Sequence, residues 1–360
     1  MKFLFYLGHP AHYHYISHVI KNLADKKHDV LLVVRPKDVL LDLICDVPYK
    51  KIILPVEKNK SKGLSILKRE FKILSIALKY KPEVMIGTDI VITHIGKLLR
   101  IPSIVLSEDD ASEITQFVKY GYRFATTILA PNSCDCSPYN YKKVEYPGCM
   151  EINYLHPNYF KPDETKISHL FGEKKRYFIL RFAKLNAFHD VGRKGINAEM
   201  AQKIIKLLEP HGNIFITSER ELEPQFEKYR IKIDPRIIHH ALYFADIYIG
   251  DSQTMAAEAA VLGTPSLRFN DFVGKLGYLE ELEHKHGLTF GINTNNPQKL
   301  HSTIEKLLNI KDLKKQWAEK REKMLSSSIN VTAFWTWFFE NYPKSISIMK
   351  EDKMYYTNFK

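Results

Sequence analysis

One stretch of the chain occurs twice. Residues 82–104 read PEVMIGTDIVITHIGKLLRIPSI, and residues 245–267 read ADIYIGDSQTMAAEAAVLGTPSL. Laid over each other without a gap, Gly87 falls on Gly250, Asp89 on Ser252, Pro102 on Pro265 and Ser103 on Ser266. Each copy is an apolar run ending in glycine, a polar turn, a helix-like stretch and a second apolar run introduced by proline. That is the β–turn–α–β unit of a parallel sheet. One copy near the end of each half predicts two similar α/β domains, each a Rossmann-like doubly wound parallel sheet, facing each other across a cleft. The 360-residue length leaves room for two cores. Ligands of such sheets bind where strand C-termini meet helix N-termini, so the chemistry is expected there.

The rest of the chain alternates in the same way. Strand-like runs lie near 2–7, 29–34, 50–54, 83–87, 103–107 and 126–130, with helical stretches at 12–26, 36–45, 62–80, 89–99 and 111–121. Residues 131–162, rich in Pro, Tyr and Asn and without periodicity, read as the end of the first domain and a linker. Strands resume near 177–183, 213–217, 246–250 and 265–269, with helices near 194–209, 221–229, 235–244, 253–262, 274–286 and 297–308. The expected domains are 1–150, 151–330 and a C-terminal helix and tail, 331–360. The six aromatics between Phe334 and Tyr342 suit either a membrane-surface helix or a helix packed back onto the protein. The second is favoured, because the stretch lacks a basic amphipathic face. From Lys344 on, the polar tail is expected to be poorly ordered.

A net charge of +12 implies an anionic partner: a nucleotide sugar, an acidic glycan or anionic lipid. The basic residues are spread through both halves and no nucleic-acid-binding signature is present, so nucleic acid ranks last. No apolar run is long enough to span a bilayer. The N-terminal MKFLFYLGHP reads as a first strand rather than a signal peptide. A cytoplasmic location, extending to the inner face of the cell membrane, is the expectation. Cys134 and Cys136 form a lone C-x-C, and reduced thiols are expected rather than structural zinc. His14 and His18 lie four apart, but no carboxylate completes a ligand set, so neither a metal nor a cofactor is expected.

Residue chemistry selects candidates on both sides. Gly250 permits a sharp turn, Asp251 or Ser252 can cap the helix that follows, and the first helical N–H groups form an anion site with Ser252 to Thr254. Glu258, among small alanines, can accept hydrogen bonds from two ribose hydroxyls. Arg181, Lys184 and Arg193 can stabilise the charge of a departing diphosphate, whereas Lys194 reads as surface charge. In the first half His12 has the pKa of a general base. Glu108 and Asp109 belong opposite a diphosphate, where they would receive acceptor hydroxyls or assist the base. Asp89 ends the preceding strand. Helix capping is the competing role for Asp89 and Asp110.

Residues 245–268 resemble the C-terminal donor motif of the GT-B superfamily, which holds glycosyltransferases and the UDP-N-acetylglucosamine 2-epimerases. The epimerase pattern aspartate-serine-glycine-glycine-x-x-glutamate-glutamate-alanine falls on Asp251 to Ala259, with Gln253 and Thr254 in place of the two glycines. The chain also looks like a group of glycosyltransferase-like proteins with an HD-V-G stretch, here within Phe188 to Gly192. The resemblance implies that Ser252, Gln253 and Thr254 hold a donor diphosphate and Glu258 the ribose. It places His239 and His240 near the nucleobase, and the Gly8–His12 loop towards the cleft. Asp89 and Glu108 match acidic positions of the epimerases. Three functions follow. The first is an inverting transferase moving sugar from a nucleotide-diphosphate sugar, UDP-linked by the resemblance, to a glycan or lipid-linked acceptor. The second is a nucleotide-sugar 2-epimerase, against which the stretch FNDFVGKLGYLEE lacks the epimerases' threonine-glutamate-arginine-proline-glutamate run. The third is a non-catalytic nucleotide-sugar binder.

Overall fold

A computed structural model describes residues 1–56, 62–171, 176–183 and 195–360. Contacts divide the chain into two compact units, Met1–Tyr159 with Ser328–Lys360, and Phe160–Ser327. The division falls nine residues beyond the expected 150, and the C-terminal segment belongs with the first unit. The reason lies in side chains: Phe334, Trp335, Phe338 and Phe339 of the helix Val331–Glu340 are buried. Phe339 packs edge-on to Phe5, Trp335 packs edge-on to Tyr146, and Tyr342 Oη lies 3.1 Å from Thr127 Oγ1. The aromatics therefore close a core. The tail expected to be disordered carries a helix, Lys344–Glu351, held by buried Ser345 and Met349, and Tyr355 stacks on Trp337.

The first unit is built on a seven-stranded, all-parallel sheet. Its strands are β1 (Lys2–Leu7), β2 (Asp29–Val34), β3 (Lys50–Ile53), β4 (Val84–Gly87), β5 (Ser103–Leu106), β6 (Thr127–Pro131) and β7 (Lys143–Tyr146), in the order β3-β2-β1-β4-β5-β6-β7. The second unit has β8 (Tyr177–Phe182), β9 (Asn213–Ser218), β10 (Ile247–Gly250), β11 (Ser266–Phe269) and β12 (Thr289–Ile292), in the order β12-β11-β10-β8-β9. Chain direction across the sheet reverses beside β1 in one unit and beside β8 in the other, which makes β1/β4 and β8/β10 the switch points. β7 lies inside the stretch read as linker, and β12 was not foreseen. Both are four-residue strands at the edges of their sheets.

The duplicated segment folds alike in both units. Asp89 and Ser252 cap the helices Ile90–Leu99 and Gln253–Leu262, accepting from Val91 N and Met255 N. Arg100 and Gly263 end them in the left-handed region, at φ 59° and 82°. Gly87 and Gly250 stand at matching strand ends for want of space. A Cβ on Gly87 would sit 2.7 Å from Tyr6 O, and one on Gly250 would sit 2.5 Å from Tyr248 Oη. The expected sharp turn at Gly250 is not the reason for the glycine, because its φ is not positive.

Candidate active site

In the second unit, the β8/β10 switch point sets Arg181 beside Gly250 in register, with the helix Gln253–Leu262 starting just beyond. Ser252, not Asp251, caps that helix. Asp251 is buried and accepts from Ala183 N at 2.6 Å and Ile196 N at 3.2 Å, tying together the chain on either side of residues 184–194. Burial pushes its carboxyl up to about 6 against those two donors. Gly195 approaches so closely that a Cβ there would lie 2.5 Å from Asp251 Oδ2. Asp251 thus pins the backbone at the strand end.

Behind the helix start, Glu258 is buried rather than solvated, and His239 Nε2 lies 3.0 Å from its Oε1. His239 and His240 follow one another in the helix Ile238–Phe244. Both are buried: His239 against Glu258, His240 accepting from Asp163 N at 3.0 Å. Ala256, Ala257, Ala259 and Ala260 are fully buried, which reads as close helix packing. The carboxamide atoms of Gln253 are shielded from solvent without a hydrogen-bond partner among the described residues, as is Arg181 Nε. A buried polar group of that kind is uncommon and needs a partner such as water, an ion or a bound group. Half-buried Arg181 also pairs with Glu219, and Thr254 is half-buried in the first turn. Lys184, Arg193 and the HD-V-G stretch lie outside the described residues.

In the first unit His12 and Asp89 follow β1 and β4, the strands of the switch point, and Glu108 and Asp109 follow the neighbouring β5. His12 sits in the first turn of the helix Pro10–Asp25, and its Nδ1 accepts from Gly8 N at 3.3 Å. Burial, with His9 and Lys37 nearby, lowers its pKa to about 3. The ring is therefore neutral, and with Nδ1 accepting, Nε2 carries the proton. That arrangement presents Nε2–H of His12 as a hydrogen-bond donor. Asp89 caps the helix Ile90–Leu99, the role weighed against catalysis from sequence, and is also held by Arg69 Nη1 at 2.8 Å. Arg69, from the helix Lys62–Tyr80, was not foreseen, since only the fold brings it here. Glu108 is buried and accepts from Tyr15 Oη at 2.6 Å. Burial first, and the Glu151 carboxyl second, raise its pKa well above the usual range, with the Tyr15 bond opposing. Asp109, next to it, is half-buried. His14 stacks on Tyr154 and His18 packs on Tyr159. The described residues contain no cluster of metal-binding side chains, and none of the described helices is long and apolar enough to cross a membrane.

A family model matches residues 2–277, most of the chain. The chain belongs to the DUF354 family. That family is described only as a protein of unknown function. Solved structures supply the fold. UDP-GlcNAc 2-epimerase from Methanocaldococcus jannaschii, in complex with UDP-GlcNAc and UDP, is 15% identical with a TM-score of 0.64, covering 86% of this chain and 94% of that one. The Neisseria meningitidis UDP-GlcNAc 2-epimerase bound to UDP-GlcNAc is 15% identical with a TM-score of 0.59, covering 90% of this chain and 100% of that one. The glycotransferase of kitacinnamycin is 10% identical with a TM-score of 0.60, covering 94% and 98%. No curated protein matches the chain in sequence. At these identities the likeness is one of fold: this DUF354 member has two parallel-sheet α/β units, as GT-B structures do.

Proposed function

We propose that the protein is a glycosyltransferase that takes a sugar from a nucleotide-diphosphate donor to an acceptor hydroxyl. The observation that carries the reading is the second-unit site. The capped helix start at Ser252 has Gln253's unpartnered carboxamide beside it and Glu258 held by His239 one to two turns along. Exposed helix amides and the Gln253 amide would bind the diphosphate, the side-chain amide taking the place of the close backbone approach that glycine permits. Glu258 would receive the ribose hydroxyls, with His239 fixing its carboxylate. Arg181 would stabilise the leaving diphosphate, whose charge grows in the transition state.

On the acceptor side, Asp109 is the base in this reading. Glu108 is buried and biased towards its protonated form, and Asp89 is engaged by Arg69. His12 would orient a sugar or phosphate oxygen through Nε2–H. A glycan or lipid-linked acceptor suits the basic chain. The epimerase reading draws support from Glu108 and Asp89 standing at neighbouring strand ends, one carboxyl with its pKa raised by burial and one ion-paired. One assay separates the two. The protein is incubated with UDP-N-acetylglucosamine and other nucleotide sugars, with and without a membrane lipid extract. Acceptor-dependent release of nucleotide supports transfer, and epimer formation without acceptor supports the second reading. Within the first reading, Asp109→Asn should lower turnover by about 10²–10⁴-fold with nucleotide affinity unchanged. Unchanged turnover would remove Asp109 as the base.

A further inference from the structure

The helix Lys62–Tyr80 has two faces of opposite kind. One is anchored in the first unit. Arg69, Ile73 and Ala77 are buried, Arg69 bonds to Tyr6 and Asp89, and Glu70 Oε1 lies 2.5 Å from His94 Nδ1 on the adjacent helix Ile90–Leu99. The other face is apolar and exposed: Leu64 at 55%, Leu67 at 48%, Phe71 at 64% and Leu78 at 55%. At about 100° per residue these four fall within an arc of roughly 60°. Lys68, Lys72 and Lys79, all exposed, fill the adjoining arc of roughly 40°. Scattered single exposed apolar residues need no explanation, but a continuous stripe of large ones marks an interaction site.

The geometry points to this face as the surface by which the protein lies on an anionic lipid bilayer. The pattern is that of an in-plane interfacial helix: an apolar stripe that enters the acyl boundary beside lysines at headgroup level. The occupant is fixed by charge. A lysine row beside the stripe complements phospholipid phosphates and matches the net charge of +12. A second copy docked through the same face would bring two lysine rows together, at a cost. The helix is buried on its other side and none of the described helices can span a membrane, so binding is peripheral and reversible. In a β–α–β unit a helix begins at the C-terminal edge of the sheet. Leu64, Leu67 and Phe71 are therefore in the half nearest the end of the unit where Asp89 and Asp109 stand. The inference stands on this helix alone and does not depend on glycosyl transfer.

The test uses the full chain and vesicles of phosphatidylcholine with or without phosphatidylglycerol. Wild type should sediment with the anionic vesicles and release as salt is raised. Leu67→Ser/Phe71→Ser should weaken partitioning about tenfold or more while the thermal melt is unchanged, because neither side chain is part of the core. Lys68→Glu/Lys72→Glu should abolish the preference for anionic vesicles. Phe71→Trp should shift its emission to the blue on adding anionic vesicles, whereas Tyr141→Trp, at another exposed position, should not. Absence of wild-type binding, an unshifted Phe71→Trp on sedimented vesicles, or a dimer in solution that the double serine variant dissolves would each overturn the proposal.

Discussion

His12 shows how one backbone contact changes a side chain's chemistry. By residue type it is a base poised near neutrality. With the Gly8 amide donating to Nδ1 and burial lowering its pKa to about 3, it stays neutral through the physiological range and presents Nε2–H. The linkage has a definite sign. Between the unfolded pKa near 6.5 and the folded value near 3, the unfolded chain binds the extra proton, so acidification through that window costs stability. Comparing wild type with His12→Gln by urea unfolding at pH 7 and pH 4, wild type should lose roughly 2–3 kcal/mol more than the variant. Equal losses would mean that His12 titrates normally and the Gly8 contact is not formed. The Asp89 and Glu108 carboxylates are likewise defined by their partners, Arg69 and Tyr15, which lie 20 and 93 residues away.

At the scale of elements, the second unit's sheet is secured by a group that sequence reading passed over. Arg268, in β11, is fully buried and pairs with Glu283 at 2.7 Å, and Glu283 also accepts from Gly291 N in β12 at 2.7 Å. Removing one partner leaves an uncompensated buried charge. Arg268→Ala should therefore cost about 3–5 kcal/mol in denaturant unfolding, and less than 1 kcal/mol would show the pair to be dispensable. The elements that could be read from the chain are those with a strong local signal. β1 and β2 are unbroken apolar runs, and the duplicated unit carries glycine, cap and proline at fixed offsets. The helix expected over 274–286 is instead the short Gly277–Glu280 followed by a π-helical turn, Glu281–Lys285, a register that places Glu280 and Glu283 on Arg268. No spacing rule announces that, because the constraint is tertiary. In the same way Ser252 was legible as a cap from its position, but Glu258 facing His239 across two helices was not.

For the whole molecule, the consequential fact is that the chain returns. Residues 328–360 complete the first unit, although they follow the second in sequence. Lys26 and His28 meet Glu340, Asn22 meets Thr336, and Thr332 bonds to Asn153. The expectation of a separate tail followed from reading polarity residue by residue after Lys344, where the helix Lys344–Glu351 buries only Ser345 and Met349 and the turn Tyr355–Phe359 buries none. Trp335→Ala should destabilise the first unit by about 3–5 kcal/mol and leave the unfolding of Phe160–Ser327 in place. A single transition shifted as one would show that the two units unfold together.

The account rests on nucleotide binding at the helix start after β10, and isothermal titration with UDP tests it most directly. Wild type should bind UDP saturably at one site per chain, and Glu258→Ala, with the fold intact by circular dichroism, should bind roughly 10–100-fold more weakly. No saturable binding of UDP or another nucleoside diphosphate to wild type, or equal affinity in Glu258→Ala, would contradict it.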